Sequence, residues 1–544
     1  MPNRPTAASL LVNALETAGV GTLFTLSGNQ ILSVFDAAIE SPMHLIHVRH
    51  EAAAVHMADA WGRLTDTPGV ALLTAGPGHA NGLSALFVAA QAESPLVMLS
   101  GHCPRGDLGR GGFQEMEQAA VAGPLTKASW TASDPARVGE DLAKAFRLAA
   151  AGRPGPVHIS LPSDLLEATI NADAAPQLQP EDFQPPALPL SHSDIGAILQ
   201  LLCEARRPLV LAGPPFLRPA GKAALARLGE AAGAPVIAME SPRGIADPSL
   251  GAFGEVLAQA DVVLLLGKKL DCTLRFGKAD FFAGDCRFVQ VDPEPGVLEQ
   301  TAAVLQDDSR LVAVAAADAI HAAGQLTEAA AGSTRPASSW GDDVQAAVAY
   351  RPRQWSEIES TGQPLHPSQL CRGLQSCLGP RSIFISDGGE FGQWAQAMLS
   401  ADHRLINGPS GSIGSALPFA LAAKRAFPDH RVAAVMGDGT FGFHAMELDT
   451  AVREKLPVVI VVGNDARWNA ETVLQERIYG PDRVTDCELL PTRYDRLAQA
   501  LGGHGEHVTT LAELEPALRR AFDAGLPACV NVAIQPEPAP VIAR

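Results

Sequence analysis

The chain has 544 residues, 47% of them hydrophobic and 18% charged, which indicates a folded protein too long for a single hydrophobic core. Its 41 basic and 59 acidic residues give a formal charge of −18 at pH 7, so we expect neither nucleic acid nor a membrane surface among its partners. No apolar run is long enough to cross a bilayer, the N-terminus lacks the apolar core of a signal peptide, and the eight cysteines show no C-x-x-C spacing, which predicts a cytoplasmic protein without a disulfide framework or a zinc site.

Three segments alternate helical patterns with short apolar strands, and this alternation is typical of doubly wound parallel α/β domains. The predicted domains cover residues 1–170, 190–327 and 360–536. The clearest candidate strands lie at 69–74, 95–100, 154–161, 208–213, 261–267 and 287–292. A proline-rich stretch at 175–189 predicts an extended linker, and a compositionally simple stretch at 328–339 marks the end of the second domain. The predicted fold class is α/β, with three doubly wound parallel-sheet domains.

The third predicted domain contains the most informative tract of the chain, Val-Met-Gly-Asp-Gly-Thr-Phe-Gly at residues 435–442. It reads as a strand followed by a glycine turn that opens a helix, and residues 457–465 read as the next buried strand. This order places Asp438 and Asp465 side by side at the carboxyl ends of neighbouring parallel strands. Two carboxylates in that position can share one divalent metal ion.

The same tract also fits the dinucleotide-binding fingerprint G-x-G-x-x-G. Gly437, Gly439 and Gly442 supply the glycines, and Asp465 follows 23 positions after the last of them. A carboxylate at Asp438 would repel a pyrophosphate at the helix N-terminus unless a metal ion lay between the two groups. The residues therefore favour a metal-diphosphate cofactor, and a nicotinamide dehydrogenase remains the alternative.

An earlier segment supplies a candidate proton-transfer group. Glu51 begins a predicted helix rich in small residues, where a carboxylate is poorly solvated, and desolvation raises a carboxyl pKa so that the group can hold or lend a proton near neutral pH. The alternative is an ordinary glutamate that complements the helix dipole.

Four segments follow one another along the chain: Arg-His-Glu at 49–51, Thr-Ala-Gly-Pro-Gly at 74–78, Phe-Gln-Glu at 113–115 and the tract from Gly437 to Asp465. Together they resemble the thiamine diphosphate enzymes of the acetolactate synthase, benzaldehyde lyase and 2-hydroxyacyl-CoA lyase group. The cofactor signature of that family is G-D-G followed, after about twenty-five residues, by N-N, and the tract from Gly437 to Asp465 matches it. One position departs from the pattern, because the final asparagine is Asp465 here, which keeps an oxygen ligand and adds a negative charge.

The resemblance implies a site for thiamine diphosphate and Mg2+. By likeness to the family, Glu51 hydrogen-bonds the aminopyrimidine ring, and the metal is held by Asp438, Asp465 and the backbone carbonyl of Arg467. Ile413 matches the apolar residue that keeps the cofactor bent. The remaining residues assigned to cofactor binding are Gly388, Gly437, Gly439 and Thr440.

Two side chains are candidates for contact with the substrate. Gln114 matches a glutamine of the family's active site, and Glu471 matches a position where some decarboxylases carry an acid-base glutamate. Gln114 reads equally as a surface-loop residue, and Glu471 as a solvated helix residue. Three weaker candidates for the substrate pocket are Asn29, His79 and His102.

The second domain raises a separate question. Relatives bind FAD or the ADP part of coenzyme A there, and three cations could meet phosphates: Lys268, Lys269 and Arg275. Lysines after a strand are also common solvated ends, and no glycine fingerprint accompanies them. A second cofactor, FAD or coenzyme A, is therefore left open.

The resulting functional hypothesis is cleavage or formation of a carbon-carbon bond next to a carbonyl group of a small-molecule substrate, with thiamine diphosphate and Mg2+. The first expectation is 2-oxo acid decarboxylation, acetolactate-type carboligation, or both. A 2-hydroxyacyl-CoA lyase is the alternative, and a non-catalytic thiamine diphosphate-binding subunit is the rival of another class. The resemblance implies a homodimer or homotetramer in which the first domain of one subunit meets the third domain of another.

Overall fold

The structure is a computed structural model that describes residues 5–171, 175–305, 309–331, 338–358 and 364–542. It contains three sheets of six, five and six strands, and every strand pair within them is parallel. Three parallel-sheet α/β units follow one another along the chain, so the predicted fold class is confirmed.

The first unit is built on a six-stranded sheet. Its strands are β1 (Thr22–Thr25), β2 (His44–His47), β3 (Gly69–Leu73), β4 (Leu96–His102), β5 (Ala128–Thr131) and β6 (Pro156–Pro162). They lie in the order β2-β1-β3-β4-β6-β5. The helices are α1 (Ala7–Thr17), α2 (Leu32–Ala37), α3 (Glu51–Thr65), α4 (Pro77–Gln91), α5 (Gln118–Ala122), α6 (Val138–Ala150) and α7 (Ser163–Leu166).

The second unit has five strands, namely β7 (Pro208–Ala212), β8 (Val236–Ala238), β9 (Val262–Leu266), β10 (Arg287–Val291) and β11 (Leu311–Ala315). Their order is β11-β10-β9-β7-β8. The helices of this unit are α8 (His192–Glu204), α9 (Pro219–Ala232), α10 (Phe253–Leu257), α11 (Pro295–Leu305) and α12 (Ala319–Ala330). Two further helices, α13 (Trp340–Ala349) and α14 (Gln354–Glu357), precede the third unit.

The third unit repeats the strand order of the first. Its strands are β12 (Ser382–Ser386), β13 (His403–Ile406), β14 (Arg431–Gly437), β15 (Val459–Asn464), β16 (His504–Val508) and β17 (Ala528–Ala533). Their order is β13-β12-β14-β15-β17-β16. The helices are α15 (Pro367–Cys377), α16 (Gly389–Met398), α17 (Ala416–Ala426), α18 (Asp438–His444), α19 (Glu447–Arg453), α20 (Asn469–Tyr479), α21 (Tyr494–Ala500) and α22 (Leu511–Asp523).

The central strands are apolar runs because helices cover both faces of each sheet. Every residue of β3, β9 and β12 is buried, as expected for parallel strands. All six candidate strands named from the sequence are strands here, with ends that agree within two residues.

The proline-rich stretch at 175–189 differs from the extended linker that its composition predicted. A short 3-10 turn forms at Pro180–Phe183, and the buried ring of Phe183 packs edge-on against Phe146 of α6, with ring centroids 5.6 Å apart. One buried aromatic side chain thus holds this segment against the first unit. In the stretch at 328–339, α12 continues to Ala330, and residues 332–337 lie outside the described part of the chain.

The first and third units share one hydrophobic core, which the sequence did not predict. Side chains of α3 and α17 belong to a single buried cluster that also includes residues of both sheets. At its edge the ring of His56 packs against Phe419, with ring centroids 5.7 Å apart. This packing fixes the start of α3, where Glu51 lies, relative to the third unit. Over the described residues, no helix has the length and apolar character needed to cross a membrane.

Candidate active site

Two carboxylates meet at the carboxyl ends of β14 and β15. The strands are parallel neighbours with Gly437 opposite Gly463, so Asp438 and Asp465 emerge at the same edge of the sheet. Asp438 is only 1% exposed, and its Oδ2 atom has no hydrogen-bond partner among the described residues. Burial raises the pKa of both carboxyl groups, and the negative charge of Asp438 raises the pKa of Asp465 further. A divalent cation between them would stabilise both charges.

These carboxylates line a cavity of about 210 Å3 in the third unit. The cavity contains every residue of this unit that was predicted to bind cofactor, metal or substrate: Gly388, Ile413, Gly437, Asp438, Gly439, Thr440, Asp465, Arg467 and Glu471. All of its lining residues come from the third unit.

The cavity wall depends on close backbone approach at two glycines. A Cβ atom on Gly439 would lie 2.7 Å from the indole of Trp468, and a Cβ atom on Gly388 would lie 2.8 Å from Cγ2 of Ile413. Between Asp465 and Arg467, Ala466 adopts φ +55°, so the chain turns sharply at this point. Larger side chains at the two glycines would close the space that a cofactor needs.

Asp387 organises the part of the wall that carries Gly388 and Ile413. Its buried carboxylate accepts hydrogen bonds from the backbone N–H groups of Gly388 (2.8 Å), Gly414 (3.0 Å) and Ala416 (3.0 Å). Burial raises the pKa of this carboxyl, and the three N–H donors oppose that shift. This role of Asp387 was not predicted from the sequence, although an aspartate at a strand end before two glycines was a visible signal.

Glu51 and Gln114 form a second group, in the first unit. Glu51 is the first residue of α3, 9% exposed, and its Oε2 accepts a hydrogen bond from Asn81 Nδ2 at 2.9 Å. The glycine turn after β3 joins the two residues: a Cβ atom on Gly78 would lie 3.3 Å from Glu51 Oε1, and one on Gly76 would lie 2.8 Å from the backbone oxygen of Gln114. Neither Glu51 nor Gln114 lines the cavity of the third unit.

The loop that carries Gln114 is held in an uncommon conformation. Gln114 has φ +59°, in the left-handed region, and the preceding Phe113 is 71% exposed. The carboxylate of Glu115 accepts hydrogen bonds from the N–H groups of Gly111 (2.9 Å) and Gly112 (3.0 Å), and also from Gly109. These bonds lower the pKa of Glu115 and keep the loop compact.

The other candidates for substrate contact lie in different environments. Glu471 is exposed in the first turn of α20, at the rim of the cavity. His79 is fully buried, with Nδ1 2.9 Å from Ser100 Oγ, and is therefore an interior histidine, contrary to its prediction for the substrate pocket. His102 is also buried, with Nε2 2.9 Å from the Met116 oxygen, whereas Asn29 is exposed.

One carboxylate of the third unit reaches the start of α3. Glu447, the first residue of α19, is buried, and its Oε1 accepts hydrogen bonds from the N–H groups of Arg49 (3.0 Å) and His50 (3.1 Å). Its Oε2 accepts a third bond from Thr450 Oγ1 at 2.6 Å. These contacts anchor the two residues that precede Glu51. No pattern in the sequence indicates these contacts, because the partners lie about four hundred positions apart.

The cations predicted to meet phosphates in the second unit are only partly accessible. Lys268 is buried, and its Nζ donates to Thr273 Oγ1 at 2.6 Å and lies 3.5 Å from Asp271 Oδ1. Burial lowers the pKa of this lysine. Lys269 is half-buried and Arg275 is exposed. Lys268, for which contact with a phosphate was left open, is thus paired inside the unit, and it is not the solvated strand end that was the alternative.

Comparison with known proteins agrees with this architecture. Three family models match in order along the chain: "Thiamine pyrophosphate enzyme, N-terminal TPP binding domain" over residues 5–121, "Thiamine pyrophosphate enzyme, central domain" over 195–316, and "Thiamine pyrophosphate enzyme, C-terminal TPP binding domain" over 387–532. The chain belongs to the thiamine pyrophosphate enzyme family, as its motifs predicted.

Individual relatives carry different activities in their names. A probable acetolactate synthase of Mycobacterium bovis is 35% identical, with 97% of this chain and 96% of that protein aligned. An oxalyl-CoA decarboxylase of Escherichia coli is 31% identical over 97% of this chain and 94% of that protein. A 2-hydroxyacyl-CoA lyase of Oryza sativa subsp. japonica is 29% identical over 97% and 95%. The protein is therefore an enzyme of the thiamine diphosphate class, and the dinucleotide interpretation of its glycine tract is set aside.

Proposed function

We propose that the protein is a thiamine diphosphate- and Mg2+-dependent enzyme that decarboxylates a 2-oxo acid and joins the remaining fragment to a second carbonyl compound, in the manner of an acetolactate synthase. The observation that carries this proposal is the pairing of buried Asp438, which has one unpartnered carboxylate oxygen, with half-buried Asp465 in a cavity walled by glycines. That donor set fits a hard divalent cation which also binds a diphosphate.

The residues of the third unit would hold the cofactor. Asp438, Asp465 and the backbone carbonyl of Arg467 would bind the metal, and the N-terminus of α18 would face the diphosphate. Ile413, held by the Asp387 network, would support the cofactor rings. When bound, thiamine diphosphate supplies a nucleophilic carbon and an electron sink for the bond next to a carbonyl group.

The residues of the first unit would move protons and orient the substrate. Glu51 would exchange a proton with the aminopyrimidine ring, and its burial and its hydrogen bond from Asn81 keep its carboxyl in one place. Gln114 would donate a hydrogen bond to a substrate carbonyl or carboxylate. Glu471, at the cavity rim, would exchange a proton with the bound substrate.

We further propose a homodimer, or a homotetramer built from such dimers. The cavity is lined only by the third unit, and Glu51 and Gln114 lie outside it, so each site would be completed by the first unit of a second copy. Large apolar side chains are exposed near both groups: Phe113 (71%), Phe443 (55%) and Leu490 (77%). Such side chains are typical of a surface that a partner covers.

The choice of reaction rests on two observations. The Mycobacterium bovis relative named as a probable acetolactate synthase is 35% identical to this chain, against 31% and 29% for the relatives named for coenzyme A thioesters, while two other acetolactate synthases are 28% and 29% identical. In addition, Lys268 is engaged inside the second unit, which leaves fewer cations for the phosphates of coenzyme A. A 2-hydroxyacyl-CoA lyase is the alternative outcome of the experiment.

The test is incubation of the protein, loaded with thiamine diphosphate and Mg2+, with a panel of 2-oxo acids and 2-hydroxyacyl thioesters, with and without added 2-oxo acid or aldehyde acceptors. Products are identified by mass, and Glu51→Gln serves as the inactive control. We expect carbon dioxide and a 2-hydroxy-2-methyl-3-oxo acid from pyruvate. Turnover of thioesters alone would contradict the proposed reaction, and the absence of all turnover would contradict the proposed class of substrate.

A further inference from the structure

The side-chain amide of Gln118 is buried, and its hydrogen bonds are made near the carboxyl ends of strands in the first sheet. Gln118 is the first residue of α5 and is 1% exposed. Its Oε1 accepts a hydrogen bond from Gly76 N at 2.8 Å, and its Nε2 donates to Gly101 O at 3.0 Å and to Ser160 Oγ at 3.1 Å. The short distances show that one amide side chain connects three separate backbone segments.

These three segments belong to adjacent strands. Gly76 lies just after β3, Gly101 lies near the end of β4, and Ser160 lies in the carboxyl half of β6, and in the sheet β4 stands between β3 and β6. In open parallel sheets, ligands bind outside the carboxyl ends of the strands. Gln118 therefore connects these strands near their carboxyl ends, on the side of the sheet where the Glu51–Gln114 group lies.

The turn that Gln118 holds touches both candidate catalytic residues. Gly76 has φ +52°, and a Cβ atom there would approach the Gln114 oxygen to 2.8 Å, so turn and loop are pressed together. Two residues further on, Gly78 faces the Glu51 carboxylate. A shift of the turn would therefore move Glu51 and Gln114 relative to each other.

We propose that Gln118 is a positioning residue, which fixes the Gly76 turn and thereby the relative placement of Glu51 and Gln114. The catalytic part of this inference rests on the proposed function. An amide is suited to the task because one side chain both accepts from the Gly76 N–H and donates to the Gly101 oxygen. An apolar side chain at this position would leave both of those buried backbone groups without a partner.

The chain offers a matched control at Gln290 in β10. This glutamine is also fully buried, and its Nε2 donates to Lys268 O at 3.2 Å while its Oε1 accepts from Thr301 Oγ1 at 3.2 Å. It belongs to the second unit and has no contact with the Gly76 turn. Two pairs of variants are compared: Gln118→Leu with Gln290→Leu, and Gln118→Asn with Gln290→Asn. The asparagine pair carries the test if a leucine variant does not fold.

Two measurements decide the outcome. The first is hydrogen exchange, followed by mass spectrometry, of the peptide covering residues 74–78 in the protein without cofactor. The second is kcat and KM of the loaded enzyme per folded molecule. We expect the Gln118 variants to accelerate exchange in that peptide and to lower kcat by about tenfold to hundredfold with little change in KM, because a small misplacement of catalytic groups acts on the chemical step. The Gln290 variants should do neither.

Unchanged exchange in the 74–78 peptide, or equal losses of kcat in the Gln118 and Gln290 variants, would overturn the proposal. Failure of the proposed function is distinguishable, because wild-type protein would then show no turnover on the substrate panel while the exchange measurement would still report on Gln118.

Discussion

Asp465 occupies the position where the family signature has asparagine, and the structure shows what this difference does to the protein alone. The carboxylate is placed beside buried Asp438; burial raises the pKa of both groups, and the negative charge of Asp438 raises the pKa of Asp465 further. Without a cation, the pair therefore destabilises the folded chain. With a cation, the additional charge becomes an additional attraction.

The Asp465→Asn variant tests this balance. We expect the cofactor-free variant to be more stable than wild type by on the order of 1 kcal/mol, because one buried like-charge interaction is removed. We also expect a smaller rise in the unfolding temperature when thiamine diphosphate and Mg2+ are added, because the binding free energy is smaller. Thermal unfolding with and without the cofactors measures both effects, and exposed Asp482→Asn is the control. A less stable cofactor-free variant would contradict this reasoning.

The lowered pKa of buried His79 makes the free energy of unfolding depend on pH. Burial first, and then the charge of His102, lowers the pKa of His79 to about 4. An unfolded histidine titrates near pH 6.5, so the folded chain binds fewer protons than the unfolded chain below that pH. The contribution of neutral, buried His79 to the free energy of unfolding is therefore complete above pH 6.5 and is lost as the pH falls from 6.5 toward 4.

The His79→Asn variant should therefore have a flatter stability profile. For one such group the slope is at most about 1.4 kcal/mol per pH unit. Unfolding temperatures of the cofactor-free protein between pH 7 and pH 5 provide the measurement. A residual slope is expected because burial also lowers the pKa of His56 and His158. If exposed His192→Asn flattened the profile as much as His79→Asn, the assignment would be wrong.

At the scale of elements, α19 and α3 are joined through Glu447. Its carboxylate accepts hydrogen bonds from the N–H groups of Arg49 and His50. These two residues directly precede the helix that begins at Glu51. Since α18 begins at Asp438 and α19 follows it, a short helical tract separates Asp438 from Glu447, which holds the residues before Glu51.

Removal of this anchor should weaken the contact between the first and third units. We expect Glu447→Ala to cost about 1–3 kcal/mol of the free energy of unfolding, because the N–H groups of Arg49 and His50 and the hydroxyl of Thr450 all lose the buried carboxylate that accepts from them. Asp449→Asn on the same helix removes partly exposed ion pairs with Arg49 and Arg453 and should cost less than about 1 kcal/mol. Denaturant unfolding compares the two variants, together with hydrogen exchange of the 47–53 peptide. Equal losses in both variants would show that Glu447 makes no special contribution.

The elements also show how far the sequence could predict the site. The β14–α18–β15 unit was predicted closely because its strands are adjacent both in sequence and in the sheet, so Asp438 and Asp465 could be paired from spacing alone. Glu447 and Gln118 could not be predicted in the same way, because their partners come from distant segments and their burial depends on tertiary packing. For the same reason, the shared core of the first and third units and the buried state of Lys268 became visible only in the structure.

At the scale of the whole molecule, the Glu51–Gln114 group lies in the first unit and the Asp438–Asp465 cavity lies in the third unit. In the proposed dimer, the first unit of one copy meets the third unit of the other. This arrangement predicts complementation between two inactive variants. In a mixed dimer of Glu51→Gln and Asp438→Ala chains, one site would combine both substitutions and the other would be intact. The purified mixed dimer should therefore show about half of wild-type activity, because one of its two sites is intact.

Co-expression with two affinity tags, followed by purification of the mixed species, measures this restoration. Each variant purified alone is the control and should be inactive. If the mixed species remained as inactive as its parents, Glu51 and Asp438 would act within one chain or would not act together.

The most direct test of the central claim is diffraction from crystals grown with thiamine diphosphate and Mn2+ in place of Mg2+, recorded at the manganese absorption edge. The account predicts one anomalous peak in the third unit, about 2.1 Å from carboxylate oxygen atoms of Asp438 and Asp465. Cofactor density in the cavity with no ion between these two side chains, or a peak bound elsewhere, would contradict it.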